Sequence, residues 1–316
     1  MPTHAPIIEP PTWTAAFATV AASATFCLLI VGGIVTGKEA GLAVTDWPNS
    51  FGHNMFLFPL SRMTGPVFFE HAHRLFGSLV GLTTLVLAIH LQRADNRKGV
   101  RRFALIALAL VIVQGLLGGL RVTGHFTLSA DPMQTAPSLL LAIIHGITGQ
   151  LFFSAMVALA ALTTPAWRTA PPPRIVPRAA LDHGLSRLLL SLLIVQLVLG
   201  AVLRHLAGGL MVHVSFAVVV IVAAMIVGVR AWAIHDTLPI VPRLGKLLLI
   251  LIGLQLALGV AALLVTGDRP NHPAPMLADV IVTTAHQANG AFLLAVATLL
   301  VIWLGRLVRA PGGGSG

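Results

Sequence analysis

Apolar residues in this chain neither alternate nor keep to one helical stripe. They fill eight long runs, at about 14–36, 67–91, 103–121, 139–162, 187–206, 210–232, 245–265 and 280–304. A run of about 20 residues crosses the hydrocarbon core of a bilayer as a helix. A helix that is apolar all round has no face to turn toward water. The breaks between runs hold most of the charges. One break, TPAWRTAPPPRIVPR (164–178), is proline-rich, reads as an extended linker rather than a helix, and divides the runs four and four.

The two sides of that break repeat. The third, fifth and seventh runs contain Gln114-x3-Gly118, Gln196-x3-Gly200 and Gln255-x3-Gly259. The first, third and seventh end in Val-Thr-Gly, at 35–37, 122–124 and 265–267. The even runs carry His73-x3-Gly77, His145-x3-Gly149, His213-x3-Ala217 and His286-x3-Gly290, with 72 residues from His73 to His145 and 73 from His213 to His286. The pattern predicts an all-α membrane protein whose eight transmembrane helices form two duplicated four-helix bundles. Its expected parts are a cytoplasmic N-terminal segment (1–13), an N-terminal bundle (14–162), a cytoplasmic linker (163–186), a C-terminal bundle (187–305) and a flexible tail (306–316).

Composition sharpens this picture at a few points. Only 9% of residues are charged, against about a quarter in soluble domains. The net charge of +10 therefore bears on orientation, not on nucleic acid. With the N-terminus inside, the inner segments hold fourteen Lys and Arg (Arg93, Arg97, Lys98, Arg101, Arg102, Arg168, Arg174, Arg178, Arg187, Arg230, Arg243, Lys246, Arg306, Arg309). The outer segments hold five (Lys38, Arg62, Arg121, Arg204, Arg269), so the positive-inside rule places both termini in the cytoplasm. A single cysteine, Cys27, permits no internal disulfide, and the absence of tyrosine excludes tyrosine ligation. The first residues carry no Lys or Arg, so they read as neither a secretory leader nor a transit peptide.

Candidate chemistry sits on the even runs. Residues i and i+4 share a helix face, so each histidine has a small residue one turn deeper and room beside it for something flat. Entered from outside, His73, His145 and His286 lie about 9 Å deep, and His213 is shallower. Histidines on facing helices of a bundle can hold a haem iron. Hydrogen bonding across helices and zinc are the competing readings, although no second carboxylate or cysteine stands at zinc-site spacing. His4, His53, His90, His125, His183, His205, His235 and His272 read as solvated loop or helix-end residues, with His205 and His125 able to approach an outer propionate. Within FFEHAHRLFGS (68–78), Glu70, His73, Arg74, Gly77 and Gly81 share an arc about 100° wide, with His71 about 160° from His73. Glu70 is the only acidic residue placed inside a run, and an intramembrane carboxylate is by default a functional candidate. A Glu70–Arg74 pair that merely supports the helix is the alternative. Asp46-Trp47-Pro48 reads either as a lid or as an interfacial turn, and the three glutamines as glue between helices.

EHAHRLFGS (70–78), GLAVTDWP (41–48), the Gln-x3-Gly helices and the four spaced histidines together resemble the haem A synthase family, over roughly residues 14–305. The resemblance implies an enzyme that oxidises a ring methyl of haem O to an alcohol and then to the formyl group of haem A, for haem–copper oxidases. It implies His73 and His145 as axial ligands of the substrate haem, His213 and His286 as ligands of a resident haem b, and Glu70 as the group acting at the methyl. Arg74 is expected either at a propionate or paired to Glu70. Haem O synthase, oxidase assembly factors and a bacterial plasma membrane are the implied surroundings. Many members carry cysteine pairs in outer loops; here 37–66 and 207–209 have none, so a loop thiol step is not available. The rivals are a non-enzymatic di-haem electron carrier and a haem-delivery protein, and a buried carboxylate beside one site alone argues against both.

Overall fold

The computed structural model describes residues 11, 13–123, 138–267 and 275–311. Its helices are α1 (Trp13–Gly37), α2 (Gly65–Ala94), α3 (Lys98–Val122), α4 (Leu139–Thr163), the single turn α5 (Pro165–Arg168), α6 (Ala179–Leu206), α7 (Leu210–Val229), α8 (Val241–Gly267) and α9 (Leu277–Leu307). All but α5 are long and apolar enough to cross a membrane, and the chain is a multi-pass membrane protein. Helices follow from the solvent, since hydrocarbon offers no partner for an unpaired N–H or C=O.

Polar side chains cap some of the helix ends. Ser138 Oγ accepts from the Leu141 N–H at 3.2 Å to start α4. Asp279 Oδ2 accepts from the Met276 N–H at 3.3 Å at the head of α9. Asp95, just past α2, accepts from the backbone N–H, Nε and Nη2 of Arg97 at 2.9, 2.9 and 2.6 Å. α6 and α7 are joined by residues 207–209, with Ala207 and Gly209 at φ 52° and 82°.

Three expectations need correction. First, α6 and α9 begin before their apolar runs, so Glu70 is not the sole acidic residue of the spanning helices: Asp182 and Asp279 lie buried in the first turns of α6 and α9. A helix N-terminus stabilises a carboxylate there, which is why no apolar pattern reveals them. Second, the linker is not extended throughout: Pro165 opens α5, and Thr164 Oγ1 caps it by accepting from the Trp167 N–H at 3.2 Å. Third, residues 308–309, expected in a flexible tail, form a strand Val308–Arg309 that pairs in parallel with Arg174–Ile175. This contact ties the linker to the end of α9.

Neighbouring helices close two rings. α1 packs on α2 and α4, and α3 joins α2 to α4; α6 packs on α7 and α9, and α8 joins α7 to α9. Each ring has its own apolar cluster, one built on Val80, Leu87, Phe152 and Met156, the other on Leu189, Leu248, Leu300 and Trp303. Contacts of α4 with α9 and α6, and of α1 with α9, join the rings. α4 and α9 are the enclosed helices, with 50% and 56% of their most apolar stretches buried, against 11–33% elsewhere. His145 and His286 therefore stand on the central helices, and His73 and His213 on flanking ones.

Candidate functional site

Each of the four histidines rests on a glycine of the helix before it. A Cβ on Gly32 (α1) would lie 3.1 Å from His73 Cε1, and on Gly118 (α3) 3.4 Å from His145 Cε1. On Gly200 (α6) it would lie 3.1 Å from His213 Cε1, and on Gly259 (α8) 3.2 Å from His286 Cε1. Helices α1, α3, α6 and α8 thus supply four shelves on which the imidazoles of α2, α4, α7 and α9 lie. Three of these glycines belong to the Gln-x3-Gly repeats; Gly32 does not, and only its packing reveals it.

The glutamines of those repeats reach the same rings. The Gln114 amide lies 3.0 Å from His145 Nδ1. Gln196 Nε2 lies 3.2 and 3.3 Å from the two nitrogens of His213 and donates to its carbonyl at 3.1 Å. Gln255 Nε2 lies 3.2 Å from His286 Nε2, and Gln255 Oε1 accepts from Asn289 Nδ2 at 2.7 Å. These residues, read from sequence as glue between helices, touch the candidate ligands directly.

The rings come in pairs. His213 and His286 face each other with centroids 6.4 Å apart at 68°. Two imidazoles that each approach a metal at about 2.0–2.1 Å have centroids about 6 Å apart, which is close to the separation of this pair. His145 lies within electrostatic reach of His73, Arg121 and His205. Nδ1 of both His73 and His286 is buried without a partner. Cβ atoms on Gly77, Gly81 and Gly146 would meet nothing within 4 Å, which leaves open space along α2 and α4. Buried imidazoles on neighbouring helices, small residues and adjacent space suit a flat metal macrocycle. Among the described residues no three His, Cys, Asp or Glu gather as a metal cluster.

Glu70 is 4% exposed and both of its oxygens are engaged. Oε2 accepts from the Val44 N–H at 2.9 Å and Oε1 from Arg74 Nη2 at 2.7 Å. Arg74 also donates to the carbonyls of Val44 (2.5 Å), Asp46 (2.7 Å) and Asn49 (3.1 Å). The pairing to Glu70 is therefore the use of Arg74 that the structure shows, and it reaches beyond one helix to clasp the 38–64 segment onto α2. His71, on the opposite face, meets Ser50 Oγ at 3.0 Å, and its ring lies 4.9 Å from that of Phe58.

The same segment crosses to α3. Trp47 lies flat on Gly119, where a Cβ would come within 2.3 Å of the indole, and Gly41 lies against the Arg121 guanidinium. Asp46 accepts from the Phe51 and Gly52 N–H groups at 2.7 and 2.8 Å, closing the short hairpin of Asn49–Ser50 with His53–Asn54. Burial opposes ionisation of Asp46, but those N–H groups and the Arg74 charge outweigh it and hold its carboxyl below the usual range.

Other histidines differ from expectation. His235 is buried, 3.1 Å from an Asp182 oxygen whose partner oxygen accepts from Arg230 Nε at 2.7 Å. His90 meets Thr14 Oγ1 at 2.8 Å and lies over Trp13, and His183 Nε2 lies 3.3 Å from the Leu304 carbonyl. A polar residue at a helix end is drawn inward whenever a neighbouring helix offers a partner. His53 is exposed, and His4, His125 and His272 lie outside the described residues. His205, in the last turn of α6, lies within electrostatic reach of Arg121 and Arg204, and Arg204 Nη2 donates to the Gly33 carbonyl across the two rings at 3.1 Å.

Comparison with known proteins places this geometry. The model of the COX15-CtaA family, described as cytochrome oxidase assembly protein, matches residues 15–214, a stretch containing Glu70, His73, His145 and His213. A protein named Heme A synthase from Beijerinckia indica is 30% identical over 209 residues, which are 58% of this chain and 56% of that protein. Proteins of the same name from Rickettsia canadensis and Rickettsia felis are each 30% identical over 110 residues, 32% of either chain. The matched part thus spans about half, or less, of these relatives' length.

Proposed function

The chain belongs to the COX15-CtaA family of cytochrome oxidase assembly proteins, and from that premise we propose that it is a haem A synthase, oxidising a methyl group of haem O to the formyl group of haem A. The observation that carries this reading is an asymmetry of the histidine helices: a buried, ion-paired carboxylate stands one turn from His73, whereas no Asp or Glu lies within a turn of His213 or His286, the nearest being Asp279 two turns before His286. An electron carrier or a delivery protein needs no such carboxylate.

In this reading His73 and His145 hold the substrate haem, and His213 and His286 hold a resident haem b. Bound haem iron supplies the oxidising chemistry, and the protein supplies axial ligands, position and field. The shelf glycines set how far each imidazole reaches, and Arg121 is a cation that carboxylate substituents of a macrocycle would meet, with His205 a hydrogen-bonding group within reach of it. Glu70, paired with Arg74, is the group that would act at the methyl under oxidation, by stabilising positive charge there or by transferring a proton. The 38–64 segment, held by Glu70, Arg74 and Trp47, covers the substrate half and keeps water from it. The two rings descend from one duplicated four-helix unit, with the histidine end outward and both termini cytoplasmic, in a bacterial plasma membrane. Haem O synthase and oxidase assembly factors are its natural neighbours.

The test is to co-express the chain with a source of haem O, extract the haems and weigh them. Haem A, or its alcohol precursor, is the expected product. Unchanged haem O in cells that accumulate the folded protein would refute the reading.

A further inference from the structure

We infer that His73 is the exchangeable axial ligand, the one that releases its haem while His145, His213 and His286 stay bound. This assignment rests on the haem-binding reading above and concerns a residue contrast within it. At three shelves the glycine is preceded one turn earlier by a glutamine whose amide lies 3.0–3.3 Å from a ring nitrogen. At the fourth, the glycine is present and equally close, 3.1 Å from His73 Cε1, but the residue one turn earlier is Leu28. Leu28 packs on the apolar cluster of the first ring and offers no hydrogen bond. His73 is consequently the one candidate ligand with no hydrogen bond, and its Nδ1 is buried without a partner. His286 also leaves Nδ1 unpaired, but Gln255 holds its ring, and Asn289 holds Gln255.

Ligand histidines are normally fixed through their second nitrogen, and removing that partner weakens metal binding about 10–100-fold. A ring without the partner is free to turn and is a poorer donor. The difference falls where exchange is useful. The substrate half must admit one haem and discharge another, and chemistry at its iron needs a coordination position that a resident electron-transfer haem does not. His73 also shares the head of α2 with Glu70 and Arg74, so the loosest ligand adjoins the clasp that closes the 38–64 segment. In the exchange the iron–nitrogen bond breaks, its electron pair stays on the imidazole, and the incoming ligand brings its own pair; no oxidation state changes.

Cyanide added to the ferric, haem-loaded protein probes this directly, through the Soret band and low-spin EPR signals. In the wild type cyanide should replace a histidine at one haem only. Leu28→Gln supplies the missing amide and should slow that replacement about tenfold or more, at unchanged haem content. Leu28→Met, a packing control, should leave it alone. Gln114→Leu makes the converse change at His145 and should speed replacement severalfold, which decides the matter if Leu28→Gln fails to fold. Haem in the N-terminal half with cyanide exchange indifferent to residues 28 and 114 would overturn the assignment alone. No haem in that half of the wild type would overturn the proposed function, and this assignment with it.

Discussion

Glu70 holds the backbone of a crossing segment with one oxygen and Arg74 with the other, so its charge and its packing are separable by substitution. Glu70→Gln keeps the shape and one acceptor for the Val44 N–H. We expect haem binding near wild type, with oxidation lost or stopped at the alcohol; normal haem A output would reduce Glu70 to a structural clasp. Arg74→Leu strips one partner from a pair whose side chains are 10% and 5% exposed. Leaving that carboxylate alone should cost about 3–5 kcal/mol, seen as a lowered unfolding midpoint in detergent, and stability equal to wild type would contradict the clasp. The four histidines and Glu70 are legible in sequence because polar groups in hydrocarbon are costly and stand out. Gly32 and Leu28 are not, since small and apolar residues are ordinary there and their meaning lies in a ring on another helix.

At the scale of elements, the shelves make a graded prediction. A Cβ at 3.1–3.2 Å obliges the ring to shift, whereas one at 3.4 Å makes ordinary contact. Gly200→Ala and Gly259→Ala should lower haem occupancy of the C-terminal half by about tenfold, while Gly118→Ala leaves the N-terminal half nearly unchanged; equal effects at all three would count against the shelves. The 38–64 segment carries a pH signature of its own. The carboxyl of Asp46 is depressed in the fold, so its contribution is full above its unfolded value of about 4 and is lost as pH falls through the lower folded value. In a variant whose sole tryptophan is Trp47, fluorescence should hold from neutral pH to about 4 and change only below. A transition between pH 7 and 5 would contradict this. The sequence leaves Trp47 open between lid and interfacial turn, because the deciding contact is with Gly119, on a helix 72 residues further along.

For the whole molecule, helix number and order are readable from the apolar runs, since bilayer thickness sets their length. The join between the rings is not, because its polar contacts, such as Arg204 to the Gly33 carbonyl, pair residues far apart in the chain that follow no repeat. Orientation is testable: with Cys27 replaced by Ser, cysteines at positions 97 and 49 should react with an impermeant thiol reagent from opposite sides, and same-side labelling would refute the topology. The central claim is that two histidine pairs hold two different haems, and its most direct measurement is haem identity and amount, per chain, in protein from cells that make haem O. His213→Ala should remove haem b and leave haem O or A in place, and His145→Ala should do the reverse. Loss of all haem from a folded single variant, or no change in either, would contradict it.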